Sequence, residues 1–213
     1  MSEVTLVDYG MGNLRSVAKA LEHVGASVRI ATDGPSIADA GLLVVPGVGA
    51  FGEAVRRLRA TELWEAITQH LIDGRPYLGI CLGMQLLYES SEEHGMHEGF
   101  GRLTGGVVRL PDTVKVPQIG WNRVWRNPRA DVDTHVAYEA AFDGLDEGTY
   151  FYFDQSFYAP AGPHTVGLAR YGVELTAIVA DGPTWGVQFH PEKSQAAGLR
   201  VLEHALGVLE SVG

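Results

Sequence analysis

Cys81, the only cysteine among 213 residues, stands between Gly79 and Gly83 in the stretch GICLGMQ, directly after an apolar run. An apolar strand, then G-x-C-x-G, then a helix is the layout of a nucleophile elbow with sulfur in place of oxygen. Flanking glycines permit the sharp turn and leave room for a substrate. The N-terminus of a following helix would favour the anionic, nucleophilic thiolate. The alternative is a buried structural cysteine, the usual state of a free one. Glycines on both sides of a strand–helix junction favour the nucleophile.

A thiolate nucleophile needs a proton carrier, and WGVQFHPEKS (185–194) offers one at the end of an apolar strand. In extended chain His190 and Glu192 point the same way, and Pro191 keeps His190 out of the helical region. A carboxylate beside an imidazole fixes its tautomer and stabilises the imidazolium. Taken alone, H-P-E also fits a solvated loop. VVPGVGAFG (44–52) ends a strand in Pro-Gly-x-Gly, which leaves N–H groups free to hold a developing oxyanion, or simply makes a turn. YGMGN (9–13) can cradle an anion but is too short for a dinucleotide fingerprint.

The elements that must position these residues alternate in the first half. A strand at 4–8 is followed by a helix at 13–25, with Leu14, Val17, Leu21 and Val24 on one face and Gly25 as its stop. Strands are expected at 27–31, 42–45 and 76–80, and helices at 52–59, 61–72 and about 83–90. The second half reads as strands near 106–110, 134–138, 149–153, 165–170, 173–180 and 184–189, closed by a helix over 195–210. This pattern predicts one α/β domain over residues 1–213, with a central, mostly parallel sheet flanked by helices and a β-rich second half.

Net charge is 16 − 26 = −10 with no Lys/Arg-rich block, which argues against a nucleic-acid partner. No apolar run approaches the ~20 residues of a membrane span, and the N-terminus carries no secretory pattern. A cytoplasmic protein without a membrane partner is expected. One cysteine makes neither an internal disulfide nor a thiolate-rich zinc site. His94 and His97, among Glu92, Glu93 and Glu98, read as a solvated loop rather than a metal site, because Gly95 breaks helical spacing. His23, His70, His135, His164 and His204 read as surface or half-buried positions. The aromatic run TYFYFDQSFY (149–158) reads as sheet core.

With DYGMGNLRSV, PGVGAFG, GICLGMQLLYESSEE, PQIGWN, YFDQSFY and QFHPEKS in place, the chain resembles the class I (triad) glutamine amidotransferases. Within them it looks like the glutaminase subunits of imidazole glycerol phosphate synthases. The matching stretches run from residue 8 to 194. The resemblance implies Cys81 as nucleophile, His190 as general acid and base, and Glu192 as the orienting carboxylate. It implies glutamine contacts from Gly49, Gln85, Glu93 and Ser156, and an oxyanion site at Gly47, Val48 and Leu82 completed by a peptide flip at Val48. It places Asn13, Trp121, Asn122 and Lys193 towards a cyclase partner, a (β/α)₈ barrel that receives ammonia in histidine biosynthesis. No metal or organic cofactor is implied. Relatives commonly read YFVHSYY where this chain has Gln155 and Phe157, which touches glutamine binding or partner contact rather than the triad.

Two other readings compete. A cysteine-nucleophile α/β-hydrolase acting on esters or lactones would take its acid from Asp154 or Asp181, ahead of the histidine. A catalytically silent scaffold would have no need of the complete Cys81, His190 and Glu192 set.

Overall fold

The computed structural model describes residues 3–130, 139 and 141–211; the expected strand at 134–138 and His135 lie outside the described residues. Strand β1 (Glu3–Val7), helix α1 (Leu14–His23), β2 (Ser27–Ala31), β3 (Leu42–Gly47), α2 (Phe51–Ala60), α3 (Leu63–Ile72) and β4 (Tyr77–Cys81) follow the expected alternation. Next come a one-turn helix α4 (Leu82–Gln85) and strands β5 (Tyr88–Ser91), β6 (His97–Glu98), β7 (Leu103–Arg109) and β8 (Gln118–Arg126). The chain ends with β9 (Thr149–Gln155), β10 (Phe157–Tyr158), β11 (Thr165–Tyr171), β12 (Val173–Asp181), β13 (Thr184–Val187) and α5 (Gln195–Ser211).

Among the described residues, nine strands form one sheet in the order β2-β1-β3-β4-β13-β12-β11-β8-β9. It is parallel from β2 to β13 and antiparallel from there to β9. A smaller sheet has the order β10-β7-β5-β6.

Alternation along the parallel strands feeds two cores. Leu42 and Val44 of β3 and Leu78 and Ile80 of β4 pack on the face covered by α1 and α5, with Val17, Leu21 and Leu206. Leu43, Val45 and Tyr77 pack on the opposite face with Phe51, Leu58 and Ile67 of α2 and α3. Side chains that alternate across a strand covered on both faces produce this division. Each fully buried leucine, such as Leu6, Leu43 and Leu58, stabilises the fold by about 1.5–3 kcal/mol. Gly25 ends α1 at φ 93°, as its position suggested.

Three expectations are corrected. The helix at about 83–90 lasts only from Leu82 to Gln85, and the chain re-enters a sheet at Tyr88. Residues 81–88 are all buried, so there is no polar face for a surface helix, and Tyr88 and Ser90 pair with β7 instead. Strand β8, absent from the sequence reading, carries Gly120, Asn122 and Arg123 and lacks a clean apolar alternation. His70 is buried rather than half-exposed, with Nε2 on the Pro76 carbonyl at 2.8 Å.

Candidate active site

The turn that presents Cys81 is strained. Cys81 sits at φ 54°, ψ −108°, a region that non-glycine residues rarely occupy and that tends to be retained at functional sites. Close packing holds it there. A Cβ on Gly79 would lie 2.6 Å from the Gly83 carbonyl, and one on Gly83 would lie 1.8 Å from the Val45 carbonyl oxygen. The Tyr77 hydroxyl donates to the Gly83 carbonyl at 2.9 Å, tying the strand to the turn behind it. Because α4 is a single turn, its contribution at Cys81 is a few free N–H groups rather than the dipole of a long helix.

His190 and Glu192 come from the segment after β13. Here Pro191–Lys193 makes a single 3₁₀ turn and His190 remains extended at φ −97°, ψ 97°. His190 Nδ1 lies 3.0 Å from Glu192 Oε1, and both side chains are almost completely buried. The His190 N–H donates to the Tyr152 carbonyl at 2.8 Å. Ser194 locks the segment: its hydroxyl donates to the His190 carbonyl and accepts the Tyr152 N–H.

Burial opposes a charge on His190. The negative charge of Cys81, and then the hydrogen bond and charge of Glu192, outweigh it and raise the imidazole to about 10. Nε2, the ring nitrogen turned away from Glu192, is buried and has no close hydrogen-bond partner among the described residues. The imidazole therefore rests protonated through neutral pH, held as a proton donor for the cleft.

The acids required by the hydrolase reading are elsewhere. Asp181 pairs with Arg102 and lies near His164, and Asp154 is an exposed residue at the rim of the cleft. Among the described acidic residues, Glu192 meets the imidazole.

Cys81 opens into a cleft of about 380 Å³ that Val48, Gly49, Leu82, Gln85, Glu93 and Ser156 help to line. Gly47 is the register partner of Cys81 in the parallel pair β3–β4, so the Pro-Gly-Val-Gly segment starts beside the sulfur. Gly49 adopts φ 96°, open to glycine at little cost. Glu93 Oε2 accepts the Phe51 N–H at 2.7 Å and so anchors this loop to the start of α2. His94, expected in a solvated loop, turns at φ 56° and lines the cleft. Among the described residues no group of three or more His, Cys, Asp or Glu could hold a metal ion.

Gln188 escaped the sequence reading. Fully buried, its Nε2 donates to Cys81 Sγ at 3.7 Å, while its Oε1 accepts from Gln85 Nε2 at 3.0 Å. Gln85 Nε2 also donates to the Phe157 carbonyl at 2.9 Å. An amide relay therefore runs from the cleft wall to the sulfur. Only the backbone of Phe157 takes part, so its departure from tyrosine leaves the relay unchanged. Gln188 precedes His190 by two residues, directly after the apolar strand β13, and that buried polar position was the available signal.

Of the residues assigned to a partner, Asn13 and Trp121 are exposed and Lys193 is partly so. Trp121 meets Tyr152 edge-on with ring centroids 6.2 Å apart, and Lys193 Nζ lies 5.4 Å from the Tyr152 ring centre. Asn122 is partly buried, its side-chain amide donating to the Arg170 carbonyl of neighbouring β11 at 3.1 Å.

The family model described as glutamine amidotransferase class-I matches residues 5–206. The chain belongs to the class-I glutamine amidotransferases. Among curated proteins it is 45% identical over 205 residues to the imidazole glycerol phosphate synthase subunit HisH of Rhodopirellula baltica, covering 94% of this chain and 95% of the relative. It is 44% identical over 202 residues to the protein of the same description from Aquifex aeolicus, covering 93% of each. A solved structure described as PurLQS from Thermotoga maritima shares the fold with a TM-score of 0.72 at 18% identity, covering 98% of this chain and 99% of that one.

Proposed function

We infer that the chain is the glutaminase subunit of an imidazole glycerol phosphate synthase, acting in the cytoplasm on L-glutamine and delivering ammonia to a cyclase partner in histidine biosynthesis. The observation that carries this reading is the buried Cys81, His190 and Glu192 set beside the Pro-Gly-Val-Gly segment, in a chain 45% identical to a subunit of that synthase.

The Cys81 thiolate attacks the side-chain amide carbon of glutamine, and the carbonyl electrons move onto oxygen. The Leu82 N–H, together with a rotated Gly47–Val48 peptide, supplies donors for that oxyanion. His190, already protonated, gives its Nε2 proton to the leaving nitrogen, and ammonia departs from a γ-glutamyl thioester. Neutral His190 then takes a proton from water as the water attacks the thioester carbon. Glutamate leaves, and thiolate and imidazolium are restored. Glu192 orients the ring and stabilises its charge. Gly49, Gln85, Glu93 and Ser156 hold the substrate along the cleft wall.

The outer face of β8 and β9 suits a partner. Ile119 and Trp121 are 62% and 47% exposed, and Trp121 pairs in register with Tyr152 beside Lys193. An exposed aromatic and apolar patch with a polar rim is the usual composition of a docking surface. Mixing the chain with its cyclase and that enzyme's nucleotide substrate tests the assignment. Glutamate release should rise at least ~10²-fold over the isolated chain, the contribution of one oxyanion donor. Equal rates with and without partner would refute a coupled subunit.

Glu192→Gln tests the role of the acid. The folded-state value of His190 lies above its ordinary 6.5, so the imidazolium persists through neutral pH and is lost as pH rises through about 10. Removing the carboxylate lowers that value. The alkaline limb of kcat/KM should therefore move to lower pH, and the loss of rate should be smaller than in His190→Ala. An unmoved alkaline limb would show that Glu192 does not govern the imidazole.

A further inference from the structure

Strand β3 outruns its neighbour. Its pairing with β1 ends at Leu6↔Val44, whereas on the other edge its pairing with β4 continues to Gly47↔Cys81. Val45, Pro46 and Gly47 therefore lie beyond the last register pair with β1. That edge is closed by a side chain. The buried Tyr9 hydroxyl donates to the Pro46 carbonyl at 2.9 Å. The same hydroxyl fills the space beside Gly47, where an added Cβ would lie 2.2 Å from it and 2.9 Å from Leu82 Cβ. Burial, and then the charge of Cys81, hold the phenol well above its ordinary value, so it stays a donor at any working pH.

The loop that carries Tyr9 touches this segment at two more points. A Cβ on Gly49 would meet Met11 Cε at 2.9 Å, and one on Gly12 would come within 3.7 Å of Gly47 Cα. Gly10, Gly12 and Asn13 are exposed on its outer side. Arg57 of α2 fixes the loop by donating to the Gly10 carbonyl at 2.7 Å.

We propose that Tyr9 is a positioning residue for the hydrolytic step: its hydroxyl clamps the Pro46 carbonyl and so fixes the peptide just upstream of the one that supplies the oxyanion donor. The proposal rests on the glutaminase reading and extends it. With Pro46–Gly47 held, rotation is confined to the Gly47–Val48 peptide, and the N–H arrives at one place beside Cys81. Without the clamp the end of β3 shifts with the flip, and the donor is misplaced. A misplacement of about 1 Å can cost up to ~10²-fold in rate. The effect belongs to the transition state, because the ground-state amide does not need the donor at that distance.

Tyr9→Phe keeps the ring and removes only the donor. In the complex with the cyclase and its nucleotide, the variant should lose roughly tenfold in kcat, with KM for glutamine changed by less than about twofold. Alkylation of Cys81 by iodoacetamide forms no oxyanion and should proceed at the wild-type rate. Wild-type kcat in Tyr9→Phe would overturn the proposal. So would a parallel fall in alkylation rate, which would mark general damage to the site. A wild-type complex without glutaminase activity would instead overturn the underlying reading, and the proposal with it.

Discussion

Cys81→Ser should abolish glutamine hydrolysis, by on the order of 10⁴-fold or more, while the protein stays folded. A hydroxyl is far less acidic than a thiol, and the negative charge at position 81 that does most to raise the His190 imidazole is lost with the sulfur. The serine is a far weaker nucleophile, whose proton must leave as it attacks. The elbow itself should survive. Its φ of 54° is imposed by Gly79 and Gly83, packed against Gly83 and Val45 backbone atoms, and not by sulfur. The Gln188 amide can donate to a hydroxyl as it does to sulfur. Circular dichroism and Tm should match the parent, and glutamate release in the cyclase complex should vanish. A serine variant that kept most of its activity would make Cys81 a structural residue.

Val48→Pro carries the second large effect. Val48 follows β3 and is 37% exposed, so substitution there leaves both cores intact. Proline has no N–H and fixes φ near −65°, which removes the donor that a rotated Gly47–Val48 peptide would present. One such donor is worth ~2.7–4 kcal/mol, or roughly 10²–10³ in rate. The stimulated rate should fall by that factor towards the rate of the isolated chain. Affinity for the cyclase, assigned under the proposed function to the Trp121 and Lys193 face, should be largely kept. Full stimulation in Val48→Pro would place the oxyanion donor elsewhere.

The control matters chemically. Ammonia released into water is mostly protonated and no longer nucleophilic, so a site that idles until the acceptor is loaded avoids wasting glutamine. A glycine-flanked peptide beside the nucleophile is a physical means of doing so, because Gly49 already occupies φ 96° and Gly47 carries no side chain to obstruct rotation.

The parts of the site visible in the sequence are those encoded locally. Gly79, Cys81 and Gly83 lie within five residues and His190 and Glu192 within three, so backbone geometry alone puts each set in place. Gln188 and Tyr9 act across the fold. Gln188 reaches a sulfur 107 residues away, and Tyr9 reaches a carbonyl 37 residues away. Neither distance is written in a motif. The fold shows the same division. The parallel strands announce themselves as apolar runs because both of their faces are covered. The outer face of β8 must meet solvent or a partner and mixes Ile119, Trp121 and Arg123, which hides the strand. The helix after Cys81 was overextended because its leucines belong to a buried turn, where apolar residues carry no periodicity to read.

The central claim is that glutamine is opened by the Cys81 thiolate. An electrophilic glutamine analogue, 6-diazo-5-oxo-norleucine, followed by peptide mass spectrometry, tests it most directly. The account predicts one label per chain on the peptide containing Cys81, slowed by added glutamine, with glutaminase activity lost in step with labelling. Activity that persisted after complete labelling of Cys81, or inactivation with the label on another residue, would contradict it.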